Sequence, residues 1–265
     1  MNAASEPAAL RRARFVVAYD GAGFHGFAEI ANTDTVTVAR TLREAIERVA
    51  GCAVVLVGAG RTDAGVHGWG QVVSCDLPAH VDLANLVHRV NRMCAPAVVV
   101  RSADWCDDPE FSARFSATYR HYRYTVLNSP AAVPALAATA WHVPAPLDLW
   151  AMQLACDGII GEHDFSSFCR KPKVAADQPM PSLRRRVLLA DWHRVDSEFG
   201  PLLRFEIRAN AFCHQMVRSI VGTMVDMGMG RMHAGEMLSI VHRRDRAAAG
   251  QVAPPQGLML WEVGY

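Results

Sequence analysis

The apolar residues of this chain change their spacing in the order strand, helix, strand, strand, helix, strand, and that order occurs twice. In the first round, Arg14 to Asp20 alternates as a strand that ends at the Asp20-Gly21 turn. Gly21 to Asp34 reads as a loop, and Thr35 to Ala50 as a helix with Val38, Leu42, Ile46 and Val49 on one stripe. Ala53 to Ala59 and Trp69 to Cys75 read as strands on either side of the loop Gly60 to Gly68. Asp82 to Met93 is a helix capped by Asp82, and Ala97 to Trp105 a strand. The second round runs through Tyr119 to Leu127, the helix Leu147 to Ile160, and the strands Arg184 to Trp192 and Leu202 to Ala209. It closes with the helix His214 to Met227, a short helix over Ala234 to His242, and a last strand from Leu258 to Val263.

The expected fold class is therefore α+β: two tandem ferredoxin-like, split βαβ halves sharing a mostly antiparallel or mixed sheet. Helices would cover one face, and an active-site cleft would lie at the seam. Residues 1–13 read as a flexible tail, residues 14–110 as an N-terminal half holding the 60–68 loop, and residues 111–265 as a C-terminal half. The stretches Pro130 to Pro146 and Arg170 to Pro181 read as insertions. A length of 265 residues, 51% of them hydrophobic, supplies enough apolar surface for one large core or two modest ones.

Net charge narrows the partners less than the kind of charge does. The formal total is only +1, yet Lys171 and Lys173 are the only lysines among 27 basic residues. Arginine offers phosphate a planar fork and stacks on bases, so clustered arginines can grip RNA despite a neutral total, although a GC-rich codon bias also raises arginine. The seven cysteines are scattered without metal-ligand spacing and read as small buried residues of a reducing cytosol. No apolar run is long enough to span a membrane, and a cytoplasmic location is expected. Phosphate-loop, dinucleotide, nucleophile-elbow and zinc-protease motifs are missing.

The segment Gly60-Arg61-Thr62-Asp63-Ala64-Gly65-Val66-His67 sets an acid and an arginine among small residues between two strands. Small residues let backbone approach a ligand closely, and a guanidinium two residues away can hold a carboxylate ionised and aimed. An ordinary turn, with Asp63 bonded to its own backbone and Arg61 in solvent, fits the same residues.

Five separated blocks resemble the tRNA pseudouridine synthase A family, over the stretch from about Phe15 to the last residue. They are Tyr19-Asp20-Gly21-Ala22-Gly23-Phe24-His25-Gly26; Ala59 to His67 with Gly70-Gln71-Val72; and Phe111-Ser112-Ala113-Arg114-Phe115 leading into Arg120-His121-Tyr122-Arg123-Tyr124. Asn210 to Arg218 and Ala253-Pro254-Pro255-Gln256-Gly257-Leu258 complete the set. The resemblance implies an isomerase, an intramolecular transferase converting uridine to pseudouridine in the tRNA anticodon stem-loop at tRNA positions 38 to 40. It implies that Asp63 is the catalytic aspartate, that Arg61 pairs with or orients it, and that Tyr122 stacks on the target uracil. Arg218 would be the basic residue near the aspartate and Leu258 an apolar wall of the pocket. It further implies a homodimer that takes tRNA as its partner and needs no metal or organic cofactor. RNA backbone contacts are expected from Arg120, Arg123, Arg170, Lys171, Lys173, Arg184, Arg185 and Arg186, whereas Arg11-Arg12 and Arg243-Arg244 read as ordinary surface.

The chain departs from the family where Phe27-Ala28-Glu29 follows Gly26, in place of Trp-Gln, and where Ala39 replaces a glutamine at the start of the first helix. These departures keep open an enzyme acting on another RNA or a free uridine nucleotide. A non-catalytic RNA-binding module is the alternative of a different class. Retention of Arg61, Asp63, Tyr122 and Arg218 together argues against it.

Overall fold

A computed structural model describes residues 9–31, 33–171 and 178–265. Residues 1–8 of the expected tail, Lys173 and the middle of the 170–181 insertion lie outside the described residues. The chain divides into two compact units, Met1–Thr118 with Leu260–Tyr265, and Tyr119–Met259. Strands and α-helices occur in both, so the class is α+β.

The first unit holds β1 (Leu10–Tyr19), α1 (Val38–Ala50), β2 (Val57–Gly58), β3 (His67–Pro78), α2 (Leu83–Cys94) and β4 (Val98–Trp105). Its strand order is β4–β1–β3 followed by the last strand of the chain, β10 (Leu258–Gly264), most of which belongs to this unit. β1 runs antiparallel to both neighbours, with Phe15 opposite Val73 on one side and Ala103 on the other, and β2 pairs antiparallel with β3. The apolar stripes of α1 (Leu42, Ile46) and α2 (Leu86, Val90) pack with Phe15, Val17, Val73 and Leu77 into one core. Burying each such side chain contributes on the order of 1.5–3 kcal/mol, which is what holds the helices to that face.

Local chemistry sets the element ends. Thr37 accepts the Arg40 N–H and starts α1 three residues later than the apolar spacing implies, and Asp82 caps α2 by accepting from Ala84 and Asn85. The stretch Ala53 to Ala59, expected to be a strand, pairs only at Val57–Gly58. The Glu47 carboxylate takes the Val54 N–H at 3.0 Å, and Val55 is 80% exposed, so this stretch lies outside the ladder. Residues 10–13, assigned to the tail, are strand. β3 continues to Pro78, and its backbone groups need partners that Leu10 to Ala13 supply. Ala13 is fully buried there, and Arg12 pairs with Asp76 at 2.6 Å. Residues 111–118 also belong to this unit rather than to the second half. Thr118 donates to the Gly264 carbonyl, the Tyr265 hydroxyl donates to the Ala113 carbonyl, and the Phe111 and Tyr265 rings lie 4.9 Å apart.

The second unit holds β5 (Tyr119–Asn128), β6 (Trp141–Val143), α3 (Leu149–Asp157), β7 (Gly161–Asp164), β8 (Arg184–Val195), β9 (Leu202–Ala209), α4 (Met216–Gly228) and α5 (Met237–Arg243). Its strand order is β5–β9–β8–β7, antiparallel throughout, with β6 parallel to β5. The apolar α4 is buried almost all round. The Trp192 indole, itself fully buried, donates to the Met224 sulfur at 3.2 Å and lies 5.1 Å from the Phe205 ring. The insertion Pro130 to Pro146 is ordered by a small apolar cluster of its own, in which Val133, Leu136 and Ala140 meet Leu127 and Leu202.

Candidate active site

In the first unit the 60–68 loop is anchored on both sides of Asp63. The Gln71 side chain, fully buried in β3, donates to the Gly60 carbonyl at 2.7 Å and accepts the Gly60 N–H at 3.2 Å. The Tyr19 hydroxyl shares a 2.8 Å hydrogen bond with the Thr62 hydroxyl, and the Phe27 N–H donates to the Thr62 carbonyl at 3.0 Å. The Val66 N–H then bonds back to the Asp63 carbonyl at 3.2 Å, closing a turn whose third position, Gly65, has φ +77. A positive φ at that position is the geometry of a type II turn, which glycine adopts without strain. Asp63 thus begins a tight turn immediately after a doubly bonded threonine, and it is half-buried.

The Tyr19 to Gly26 block forms the bed of this loop. Gly21 lies so close to Val66 that a Cβ on it would sit 2.1 Å from the Val66 carbonyl oxygen, and the Gly21 N–H donates to Nδ1 of buried His67 at 3.1 Å. Burial pushes the Tyr19 phenol far above its ordinary value, so it remains protonated and serves the loop as a hydrogen-bonding strut. Removing that hydroxyl with Tyr19→Phe leaves Thr62 short of a buried partner, and should cost about 1 kcal/mol in a urea unfolding experiment. An unchanged midpoint and slope would show that the strut carries no load.

Arg61 is exposed on the same loop.

In the second unit, alternation along β5 sends Arg120, Tyr122 and Tyr124 to one face and His121 and Arg123 to the other. Tyr122 is buried, and the Phe212 ring meets it edge-on at 5.0 Å. The Tyr124 hydroxyl donates to the Pro254 carbonyl at 2.8 Å, and burial pushes that phenol well up as well. Arg218, in the first turn of α4, donates from Nε to the Ala253 carbonyl at 2.7 Å, while the Ala253 N–H returns a bond to the Arg218 carbonyl. Leu258 is buried at the start of β10, just past the 3₁₀ turn Pro255–Gly257. Three blocks that are far apart in sequence, around Tyr122, Arg218 and Pro254, are thereby tied together within this unit.

The basic residues fall into two groups. Arg120 is buried and donates to the Asn210 carbonyl, and Arg123 pairs with Glu206 at 2.9 Å, so strand alternation commits both to internal bonds. Arg170, Lys171, Arg184 and Arg186 are exposed, although Arg184 shares its charge with Glu162 at 3.1 Å. The departures from the family pattern also take their places. Phe27 is buried, 6.0 Å from the Tyr19 ring, and Ala39 is buried with its N–H on the Phe27 carbonyl. Glu29 pairs with Arg43 at 2.8 Å. Phe27 therefore supports the Asp63 loop from below, a task any well-packed aromatic can perform.

Tyr19 and Gln71 are the functional supports that sequence reasoning left without a role. The available signal was polarity in the wrong place. Gln71 interrupts a run of apolar strand residues, and a fully buried amide needs partners for both its donor and its acceptor.

A family model described as tRNA pseudouridine synthase matches residues 155–265. A tRNA pseudouridine synthase A of Brevibacillus brevis is 37% identical over 256 residues, covering 97% of this chain and 100% of that protein. Its counterpart in Gluconobacter oxydans is 36% identical over 265 residues, covering 99% of this chain and 92% of that one. That of Corynebacterium glutamicum is 36% identical over 264 residues, covering 96% and 89%. With near-complete coverage in both directions and a braced acidic loop in place, the chain belongs to the tRNA pseudouridine synthase A family.

Proposed function

We propose that this protein isomerises uridine to pseudouridine in the anticodon stem-loop of tRNA, at tRNA positions 38 to 40, with Asp63 as the catalytic carboxylate. The observation that carries this reading is the set of anchors around Asp63: buried Gln71 and Tyr19 bond the residues just before it, and a glycine-dependent turn follows it. An RNA-binding surface needs no acidic loop braced this firmly, since a negative charge opposes the phosphate backbone.

The reaction breaks the bond between N1 of the base and C1′ of the ribose, turns the base, and joins C1′ to C5, from which a proton departs. A carboxylate can carry the detached fragment covalently or remove a sugar proton, and either route divides one difficult step into easier ones. A uridine within a stem must first leave the stack, at a cost of about a few kcal/mol. Tyr122 returns about 1–3 kcal/mol of that by stacking on the extruded uracil, and its phenol is a candidate for taking the C5 proton. The family resemblance gives Arg218 the role of the basic residue and Leu258 that of an apolar wall, and exposed Arg61 offers a guanidinium to the RNA. Exposed Arg170, Lys171, Arg184 and Arg186 hold the backbone from the second half. Each half is a split βαβ unit of the ferredoxin-like type; in the first, the order β4–β1–β3 with β2 on the far side of β3 supports this. The enzyme works as a homodimer in the cytoplasm and uses no cofactor.

Release of tritium from tRNA labelled at uracil C5 tests the reaction, because forming the new carbon–carbon bond expels that atom. Labelled tRNA should release it and labelled uridine monophosphate should not. Release from the free nucleotide alone would replace this reading with that of a nucleotide isomerase. Tyr122→Ala should lower kcat/KM on tRNA by about 5- to 150-fold, the equivalent of one lost stacking contact. A steady-state comparison with wild type checks this, and an unchanged value would return Tyr122 to the core.

A further inference from the structure

Two of the seven cysteines, remote in sequence, meet in the second unit. Cys169 is buried and ends the 3₁₀ turn Ser166–Phe168, and Cys213 is half-buried shortly before α4. The Arg170 N–H donates to the His214 carbonyl at 3.0 Å, so residues 169–170 run alongside residues 213–214. Backbone segments joined in this way lie roughly 5 Å apart, within the Cα separation that a disulfide bridges. The Cys213 sulfur lies 3.9 Å from the Leu183 carbonyl.

We propose that Cys169 and Cys213 form a peroxide-sensitive dithiol, in which a hydroperoxide oxidises Cys213 and Cys169 resolves the product to a reversible disulfide. In the first step the Cys213 thiolate attacks one peroxide oxygen. The O–O bond breaks, hydroxide leaves, and Cys213 becomes a sulfenic acid. In the second, the Cys169 sulfur attacks the Cys213 sulfur, the S–O bond breaks, and the hydroxyl departs as water with the Cys169 proton. Two thiols lose two electrons in total, and hydrogen peroxide is reduced to two waters.

The surroundings assign the two roles. The neighbouring Cys169 thiol, opposed by burial and helped by the Arg185 guanidinium, draws the Cys213 thiol below its ordinary range, which favours the nucleophilic form at the more accessible position. The neighbouring Cys213 thiol and burial push Cys169 upward, as suits a resolving thiol that reacts only with an adjacent sulfenic acid. Burial instead pushes Cys75 and Cys156 up to about 12 and raises Cys94 and Cys106, so these stay protonated and unreactive. Cys213 adjoins Phe212, whose ring meets Tyr122 edge-on, so the dithiol borders the proposed uracil platform while standing independently of it.

The test treats the reduced full-length protein with a small excess of hydrogen peroxide, alkylates the remaining thiols and maps the peptides without reduction. A linked Cys169–Cys213 peptide should appear while the other cysteines remain alkylatable, and dithiothreitol should remove it. Free Cys213 should be lost at least about tenfold faster than Cys75 or Cys156. In Cys169→Ser, Cys213 should instead accumulate as a sulfenic acid that dimedone traps. Wild-type protein in which Cys213 proceeds to sulfinic acid unlinked, or stays reduced while other cysteines oxidise, would overturn the proposal.

Discussion

Asp63→Ala should lower pseudouridine formation by about a thousandfold or more, because the group that forms or breaks bonds cannot be replaced by positioning alone. Affinity for tRNA should stay within a few-fold of wild type or improve slightly, since the change removes a negative charge facing a polyanion. The turn itself should persist, because the hydrogen bond closing it uses the Asp63 backbone carbonyl, which alanine retains. The result therefore divides by observable: single-turnover rate falls, tRNA binding by filter retention persists, and the circular dichroism spectrum remains that of a folded protein. Near-normal turnover in this variant would remove Asp63 from the chemistry. A parallel collapse of binding and folding would make it a structural residue.

The second large effect is expected one layer beneath. Gly21→Ala places a methyl group 2.1 Å from the Val66 carbonyl oxygen, and two backbones must separate by about 1 Å to admit it. Val66 closes the turn that starts at Asp63, so the displacement passes directly to the carboxylate. Overpacking of this kind costs about 1–3 kcal/mol of stability. An ångström of misplacement at a reacting group costs about a hundredfold in rate. Gly23 is the built-in control. It lies in the same glycine-rich block, but a Cβ there meets nothing within 4 Å, so Gly23→Ala should leave both quantities near wild type. Equal losses at the two positions would mean that the block matters for RNA contact rather than for bracing the loop.

Patterns that depend on neighbours in sequence were legible, and those that depend on partners across space were not. The apolar periodicity of α1 and α2, the Asp82 cap and the full extent of β9 follow from residues within one element. β6 and β7 were missed because three or four residues such as Trp-His-Val or Gly-Glu-His-Asp hold no alternation long enough to recognise. β1 begins earlier than expected because the length of β3 decides it, through backbone pairing that the sequence near Leu10 does not reveal. Arg120 and Arg123 look alike on paper, but pairing of β5 with β9 delivers one to the Asn210 carbonyl and the other to Glu206. At the candidate site, the glycine-flanked acid stood out in the sequence and the family resemblance gave it a role. The struts from Tyr19 and Gln71 became apparent only once β1 and β3 were seen side by side.

The most direct test of the central claim is to incubate unmodified tRNA transcripts with wild-type and Asp63→Ala protein and map pseudouridine by mass spectrometry of nuclease fragments. Wild type should place pseudouridine in the anticodon stem-loop fragment and the variant should place none, although both bind the transcript. Pseudouridine made equally by both proteins, or by neither, would contradict the account.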